Sequence, residues 1–345
     1  NKDLSDIITS NVTNMEGMFK EATSFNQYIN SFNGFNIFIG ITPLSWNVQN
    51  VTNMKNMFTG ATSFNQPLGE WQLHNNVDLT DMFLNAPKML DYYDTTPNKT
   101  ANNRLELYPK NKSALQTAIT NNDYGDYGII NTWNTSRITS MSSLFKDTSF
   151  NENITDWNVS NVTDMGGMFW QATEFNNDLS WNVSNVTDFT FMFTSATNFN
   201  GNISEWNTQK ALSMGAMFTY ATSFNQDISK WNTSKVTSMN GMFAGASSFN
   251  KPINNFSVIE QFGNILIGKA YKNNYWNVSS VTDMGFMFNE ARSFNTSINS
   301  WDVSSVETMN SMFEYADLFD KTLNSWNVSS VTDMGSMFED ARDFN

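Results

Sequence analysis

Val162-Thr163-Asp164-Met165-Gly166-Gly167-Met168-Phe169, preceded by Trp157 and followed by Ala172 and Phe175, recurs almost verbatim along the chain. A stretch that returns at a fixed period is read as one unit of an array before any other reading is attempted. With the tryptophan as position zero, the units are anchored at Trp46, Trp71, Trp133, Trp157, Trp181, Trp206, Trp231, Trp276, Trp301 and Trp326, with Ile7 in the equivalent place at the start. Most steps are 24 or 25 residues, and the Phe of the Met-Phe pair lies twelve residues after each anchor, from Phe19 to Phe338. The chain therefore holds eleven units, the last cut short at Asn345.

Each residue type in the unit has a physical task. The apolar residues from Met165 to Phe175 are spaced by three or four, which predicts one face of a short helix. The residue before each such segment (Asn14, Asn53, Asp78, Ser140, Asp164, Asp188, Ser213, Ser238, Asp283, Thr308 or Asp333) is of a type that accepts a hydrogen bond from free helical amides, so it is expected to be an N-cap. Leu179–Trp181 and Val159–Val162 suit short strands on either side of a turn. One unit cannot bury its apolar side chains by itself, whereas stacking covers both flanks of every unit. The pattern predicts a right-handed repeat solenoid with short β-strands and one short helical turn in each coil of about 25 residues.

Composition narrows the function classes. The chain has 345 residues, no cysteine and a formal charge of −14. Disulfide frameworks and thiolate metal sites are excluded, and a phosphate-binding surface is disfavoured because nucleic-acid affinity depends on Lys and Arg. No run of about twenty apolar residues is present to span a membrane. The chain opens without a signal peptide or initiator Met and starts and stops inside repeats, so it is expected to be a fragment of something longer.

A first array of three coils covers 1–90, with Met89 replacing the usual Phe in its third coil. The pattern lapses from Asp91 to Asn111, where Pro97 and Pro109 lie, with Pro87 just before, and a linker or irregular excursion is expected. Ala114, Leu115, Ala118 and Ile119 share one side of a predicted helix near 113–121, capped by Asn111 or Ser113; it is expected to cover the open end of a second array, so that 91–132 is linker plus capping helix. That second array, 133–345, holds eight coils. Each array is broken once, by an insertion at 33–45 and another at 257–275, both leaving at the same repeat position and therefore expected on the same edge.

The unit Trp-Asn-Val-Ser-Asn-Val-Thr-Asp-Met-x-x-Met-Phe-x-x-Ala-x-x-Phe-Asn resembles the BspA-type repeat of bacterial and mycoplasma surface lipoproteins. Such repeats are themselves similar to leucine-rich repeats, with Met-x-x-Met-Phe here in place of Ile-Gly-x-x-Ala-Phe and Ala172 where Cys is frequent. Tyr108-Pro109-Lys110, the helix after it, Tyr127-Gly128 and Trp133-Asn134-Thr135 resemble the segment that opens such arrays in mycoplasma members. The resemblance implies a leucine-rich-repeat-like solenoid displayed extracellularly at a cell surface, acting in recognition or adhesion. It supplies no catalytic residues, and it does not extend to the 91–111 stretch or the two insertions.

The leading functional expectation is a non-enzymatic adhesin that binds a protein or glycan through its extended surface and its insertions. The alternative is a building block of a surface layer, filament or virion, whose partners are copies of itself. The best partner-binding candidates are the apolar residues of the insertions, Phe35, Ile37, Ile39 and Ile41 in the first and Phe262, Ile265, Leu266 and Ile267 in the second, which either fold back as a local hairpin or meet a partner. The periodic methionines are expected in the core. The Asn after each Trp and the Asn of Phe-Asn are expected to form ladders that satisfy turn amides. Asn-x-Ser/Thr sequons at Asn50, Asn98, Asn158, Asn182 and Asn277 are possible glycan acceptors, although most of them fall out of the repeat itself. Asp164, Asp188, Asp283 and Asp333 form a row that fits capping, because other coils carry Ser, Asn or Thr there; His74 lacks a ligand partner, and Asp123-Tyr124-Gly125-Asp126 lacks calcium-loop spacing. No cofactor, metal or catalytic site is expected.

Overall fold

The computed structural model describes residues 4, 7–29, 46–69, 71–100, 103–120, 130–254 and 276–345, together with the backbone of 260–262 and 265–267. The chain divides into two compact units, one comprising residues 1–139 and 156–158, the other residues 140–155 and 159–345.

In the second unit, Ser140, Asp164, Asp188, Ser213, Ser238, Asp283, Thr308 and Asp333 pair successively as single parallel bridges, so each repeat lies directly against the next. The segment from Met165 to Ala172 is a run of turns, which corrects the helix expected there. The amides of Met168, Trp170 and Ala172 donate within the repeat to the carbonyls three residues back, Met165, Gly167 and Phe169. Those of Met165, Gly167, Phe169 and Gln171 donate across to Asp188, Thr190, Met192 and Thr194 of the following repeat, at 2.8–3.0 Å. The cause is a left-handed residue at every fourth position, Gly167 at φ +61 and Gln171 at φ +58, which turns alternate peptides out of the helical ladder. The expected N-cap is corrected accordingly. Asp164 Oδ1 accepts from the Gly166 amide at 2.9 Å, closing an Asx turn at the bridge residue. Neither Val159–Val162 nor Leu179–Trp181 forms a strand; the Val162 amide donates to the Val159 carbonyl as a turn, and the parallel pairing is confined to the bridge residues.

Turns with three- and four-residue spacing still send one set of side chains inward. Met165, Met168, Phe169, Ala172 and Phe175 are all fully buried. Phe169 and Phe175 stack within the repeat at 3.9 Å, and each continues a column along the stack, Phe169–Phe193 at 5.4 Å and Phe175–Phe199 at 5.9 Å. Tryptophans form a third column, Trp206–Trp231 at 5.9 Å and Trp276–Trp301 at 6.3 Å. Each buried indole N–H needs an acceptor, and it reaches back to the preceding repeat: Trp181 to the Ile154 carbonyl, Trp206 to Leu179, Trp231 to Ile203. Burying one such ring contributes about 2–3 kcal/mol.

The two asparagine positions divide their work. The Asn after Trp accepts from the amide two residues on, as Asn182 does from Ser184 at 3.2 Å, closing a corner within its own repeat. The Asn of Phe-Asn forms a ladder between repeats, in which Asn176 Oδ1 accepts from the Asn200 amide and Asn200 Oδ1 from the Asn225 amide, at 2.8 and 2.9 Å.

In the first unit Asn14, Asn53 and Asp78 bridge in the same parallel manner, with Phe19–Phe58 and Phe58–Phe83 at 5.4 and 5.8 Å. The 91–111 stretch, expected as a linker or excursion, packs onto these repeats. Tyr93 stacks on Phe83 at 5.4 Å, the Phe83 amide donates to the Thr95 carbonyl, Lys99 and Leu105 form an antiparallel bridge, and Tyr93, Leu105 and Leu107 are buried. Helix α1, Lys112–Thr120, follows; Asn111 Oδ1 caps the Ala114 amide at 3.0 Å, and Ala114, Leu115 and Ala118 are buried. It is the single α-helix among the described residues.

Candidate binding face

The left-handed positions set which side chains leave the stack. In the repeat quoted first they are Gly167 and Gln171, with Trp170 between them and also pointing outward. Left-handed counterparts recur in every repeat, so these two positions and the one before the second form three parallel rows along each compact unit, in which Thr59, Thr194, Ala244 and Ser311 are buried and other members reach the surface. A left-handed backbone favours Gly, Asn and Asp and opposes bulky side chains by roughly 1–2 kcal/mol.

Several repeats of the second unit place aromatic rings there. Phe191 (φ +59), Tyr220 (φ +55), Phe286 (φ +58) and Tyr315 (φ +56) are left-handed, and Phe191, Tyr220 and Phe286 are 43%, 47% and 41% exposed. Trp170 stacks on Phe191 of the next repeat at 5.4 Å, with Lys146 Nζ of the preceding repeat 3.9 Å from the Trp170 ring. Tyr220 occupies the space over Gly245, where a Cβ would stand 2.2 Å from its Cδ1; Gly245 is itself left-handed at φ +66, so glycine is required there twice over. The conformation is held from below, since the hydroxyls of Thr194 and Thr219 donate to the carbonyls of left-handed Ala216 and Gly241 at 2.5 and 2.6 Å. Toward residue 345 the rows turn acidic with Glu290, Glu314, Glu339 and Asp340. The Tyr315 phenol is held above its ordinary pKa chiefly by the Asp340 carboxylate, then by desolvation and by Glu314.

The residues singled out from sequence are not those at the left-handed positions. Phe35, Ile37, Ile39 and Ile41 lie outside the described residues, as does Asp123-Tyr124-Gly125-Asp126. In the second insertion the backbone of β1, Glu260–Phe262, pairs antiparallel with β2, Ile265–Ile267, placing Phe262 opposite Ile265 and Gln261 opposite Leu266. Asn50, Asn98, Asn158 and Asn182 are exposed and Asn277 is half-buried. Three of these amides serve the fold, since Asn182 closes its corner as described, Asn50 Nδ2 donates to the Ser10 carbonyl at 2.8 Å and Asn277 Oδ1 accepts from the Ser279 amide at 3.0 Å. Asp188, Asp283 and Asp333 each accept from the amide two residues on, as Asp164 does, and His74 Nδ1 accepts from Asn76. Among the described residues no three His, Asp or Glu side chains gather as metal ligands.

The aromatic rows escaped the sequence reading because they occupy positions that the repeat leaves variable. One signal was available. Trp170 is the one tryptophan off the anchor column, and it lies one repeat before Phe191.

Tandem units joined by parallel bridges and shared aromatic columns define a repeat protein. The chain matches the family described as "Mycoplasma protein of unknown function, DUF285" over residues 1–96, 35–116, 113–194, 179–274 and 260–345, and it belongs to that family. These overlapping segments run through both insertions. A search of curated proteins gave no match.

Proposed function

We propose that the protein is a non-enzymatic binding or adhesion protein displayed at a cell surface, built as a BspA-type, leucine-rich-repeat-like solenoid that engages a protein or glycan on another surface. The observation that carries this reading is the set of exposed rings at left-handed positions of the second unit. Phe191, Tyr220 and Phe286 stand where the backbone disfavours them and where water reaches them. Stacking on Trp170 and packing over Gly245 cover Phe191 and Tyr220 only in part, and binding gives a reason for the exposure that is left, because aromatic side chains supply most contact energy at low entropic cost. Mycoplasma family membership and the net charge of −14 accord with an outward-facing, soluble surface. No helix among the described residues is long and apolar enough to cross a membrane.

The test is capture of the chain on candidate host-cell surfaces and glycan arrays, compared with the triple variant Phe191→Ser, Tyr220→Ser, Phe286→Ser. Loss of capture with an intact melting transition is expected; equal capture removes this face from the reading. A building block of a layer, filament or virion would instead self-associate. Sedimentation at several concentrations separates the two, because an adhesin stays monomeric.

A further inference from the structure

We propose that the outward aromatic face of the second unit docks a lysine- or arginine-rich extended segment of a partner protein. The proposal rests on the binding reading above and names its partner class. The face already accommodates one ammonium group from its own chain. Lys146 Nζ stands 3.9 Å from the centre of the Trp170 ring and 4.0 Å from the Asp147 carboxylate. A ring beside a carboxylate is the pairing that recognises a cation, the ring through its quadrupole and the carboxylate through its charge.

The same pairing recurs farther along the face without an internal base to fill it. Tyr315 shares its row with Asp340, Glu314 and Glu339 occupy the middle row, and Phe286 stands in the third row beside them; Glu314 Oε2 accepts from Asn289 Nδ2 at 3.1 Å, and none of the ion pairs among the described residues includes those three carboxylates. Glu290 faces Arg292 at 3.9 Å, but Arg292 is held more closely by Asp317 at 2.9 Å. Across the three outward rows of the second unit Lys146 is the single Lys or Arg, so charge complementarity selects a basic occupant and opposes a phosphate backbone. Trp170 stands between Lys146 and Phe191, with its ring within 20° of parallel to Phe191, and so leaves little open platform for a sugar. The rows run along the stack, and an extended segment rising about 3.3 Å per residue follows them with roughly ten residues.

The experiment uses the whole chain. A labelled peptide of about ten residues alternating Lys or Arg with Gly and Ser is titrated in, against the same peptide with every base replaced by Gln and against a neutral oligosaccharide. Binding by the basic peptide alone is expected, weakened several-fold between about 50 and about 300 mM salt. Affinity should fall about tenfold in the pair Phe286→Gly, Tyr315→Gly and in the triple Glu314→Gln, Glu339→Gln, Asp340→Asn. Should the glycine pair lose its cooperative melt, the carboxylate triple, in which Glu339 and Asp340 are exposed and Glu314 is half-buried, carries the test. Equal binding of the Gln peptide, preference for the oligosaccharide, or full affinity in the triple variant overturns the proposal. Surface capture that depends on Phe191, Tyr220 and Phe286 but pairs with no affinity for the basic peptide sinks this inference and leaves the adhesion reading standing; loss of both sinks both.

Discussion

The left-handed positions of the two compact units share a backbone and differ in what stands on it. In the repeats of the first unit they are Gly17, Glu21, Asn56, Gly60, Asp81 and Asn85, nearly all residues that the conformation itself favours. In the second unit the same positions hold Phe191, Tyr220, Phe286 and Tyr315 among Gly, Ser, acidic residues, Gln171 and Ala216. The turn geometry is therefore a shared requirement of stacking, and the aromatic decoration is an addition that stacking does not ask for. Where a repeat departs from its own conformational preference and leaves much of the side chain in solvent, the proposed recognition role supplies a reason for it.

The sharpest way to break this contrast is to compare neighbours in one repeat. Phe193→Ala removes a fully buried ring from the aromatic column and should cost about 3–5 kcal/mol in urea unfolding. Phe191→Asn removes an exposed ring from a left-handed site that suits Asn, and should cost under about 1 kcal/mol while weakening binding. Equal losses in the two variants would make the face structural. The next effect should not distinguish the units at all. Asn26 and Asn200 each accept from the amide of the equivalent Asn in the following repeat, Asn65 at 2.8 Å and Asn225 at 2.9 Å, so Asn26→Ala and Asn200→Ala should each cost about 1–2 kcal/mol in the same assay. A large difference between them would mean that the ladder is not common scaffold.

The stacking columns were legible because Trp and Phe recur at fixed spacing, and a ring that returns every 24 or 25 residues has its own copy as its best neighbour. The backbone between them was misread for a definite reason. A turn closing every four residues spaces Met165, Met168, Phe169 and Ala172 just as a helix would, and apolar spacing cannot separate the two. What distinguishes them is a column of left-handed residues, and Gly17, Asn56, Asp81 and Gly167 display that preference when read down the repeats. The proposed binding face was hidden in the two left-handed columns, since Phe191 in the first and Tyr220 in the second break the pattern of residues that the conformation favours. The apolar residues of the insertions drew attention because they lay outside the period, whereas Trp170, Phe191, Tyr220 and Phe286 lay within it.

The reverse exchange sharpens the contrast from the other side. Asn56→Tyr places a ring at a left-handed site of the first unit, where Asn56 has φ +57. A loss of about 1 kcal/mol is expected in thermal or urea unfolding, with no gain in binding. Destabilisation of this size would show that the second unit bears the same cost at each of its aromatic positions. A neutral result would mean that the turn tolerates rings freely, and the strain argument for the aromatic face would fail.

The smallest expected effect is acid sensitivity, and it should again be alike in both units. Asp78 in the first unit is held below the ordinary aspartate range by the Thr80 hydroxyl and then the Thr80 amide; Asp302 in the second is held below it by the hydroxyl and amide of Ser304. A carboxylate whose folded pKa is depressed adds stability that is complete above its unfolded value, about 4, and is lost as pH falls through the lower folded one. Unfolding midpoints should therefore stay level from neutral pH down to about 5 and decline below about 4. Asp302 occupies the position after Trp at which Asn47 and Asn327 close the same corner with an uncharged amide, through Gln49 and Ser329. Asp302→Asn should thus preserve the turn and remove only its share of the acid dependence, and Asp78→Asn, matching Asn14 and Asn53 in the bridge row, should do the same. A fall in midpoint at neutral pH in either variant would show that the charge, rather than the turn it closes, is what those positions require.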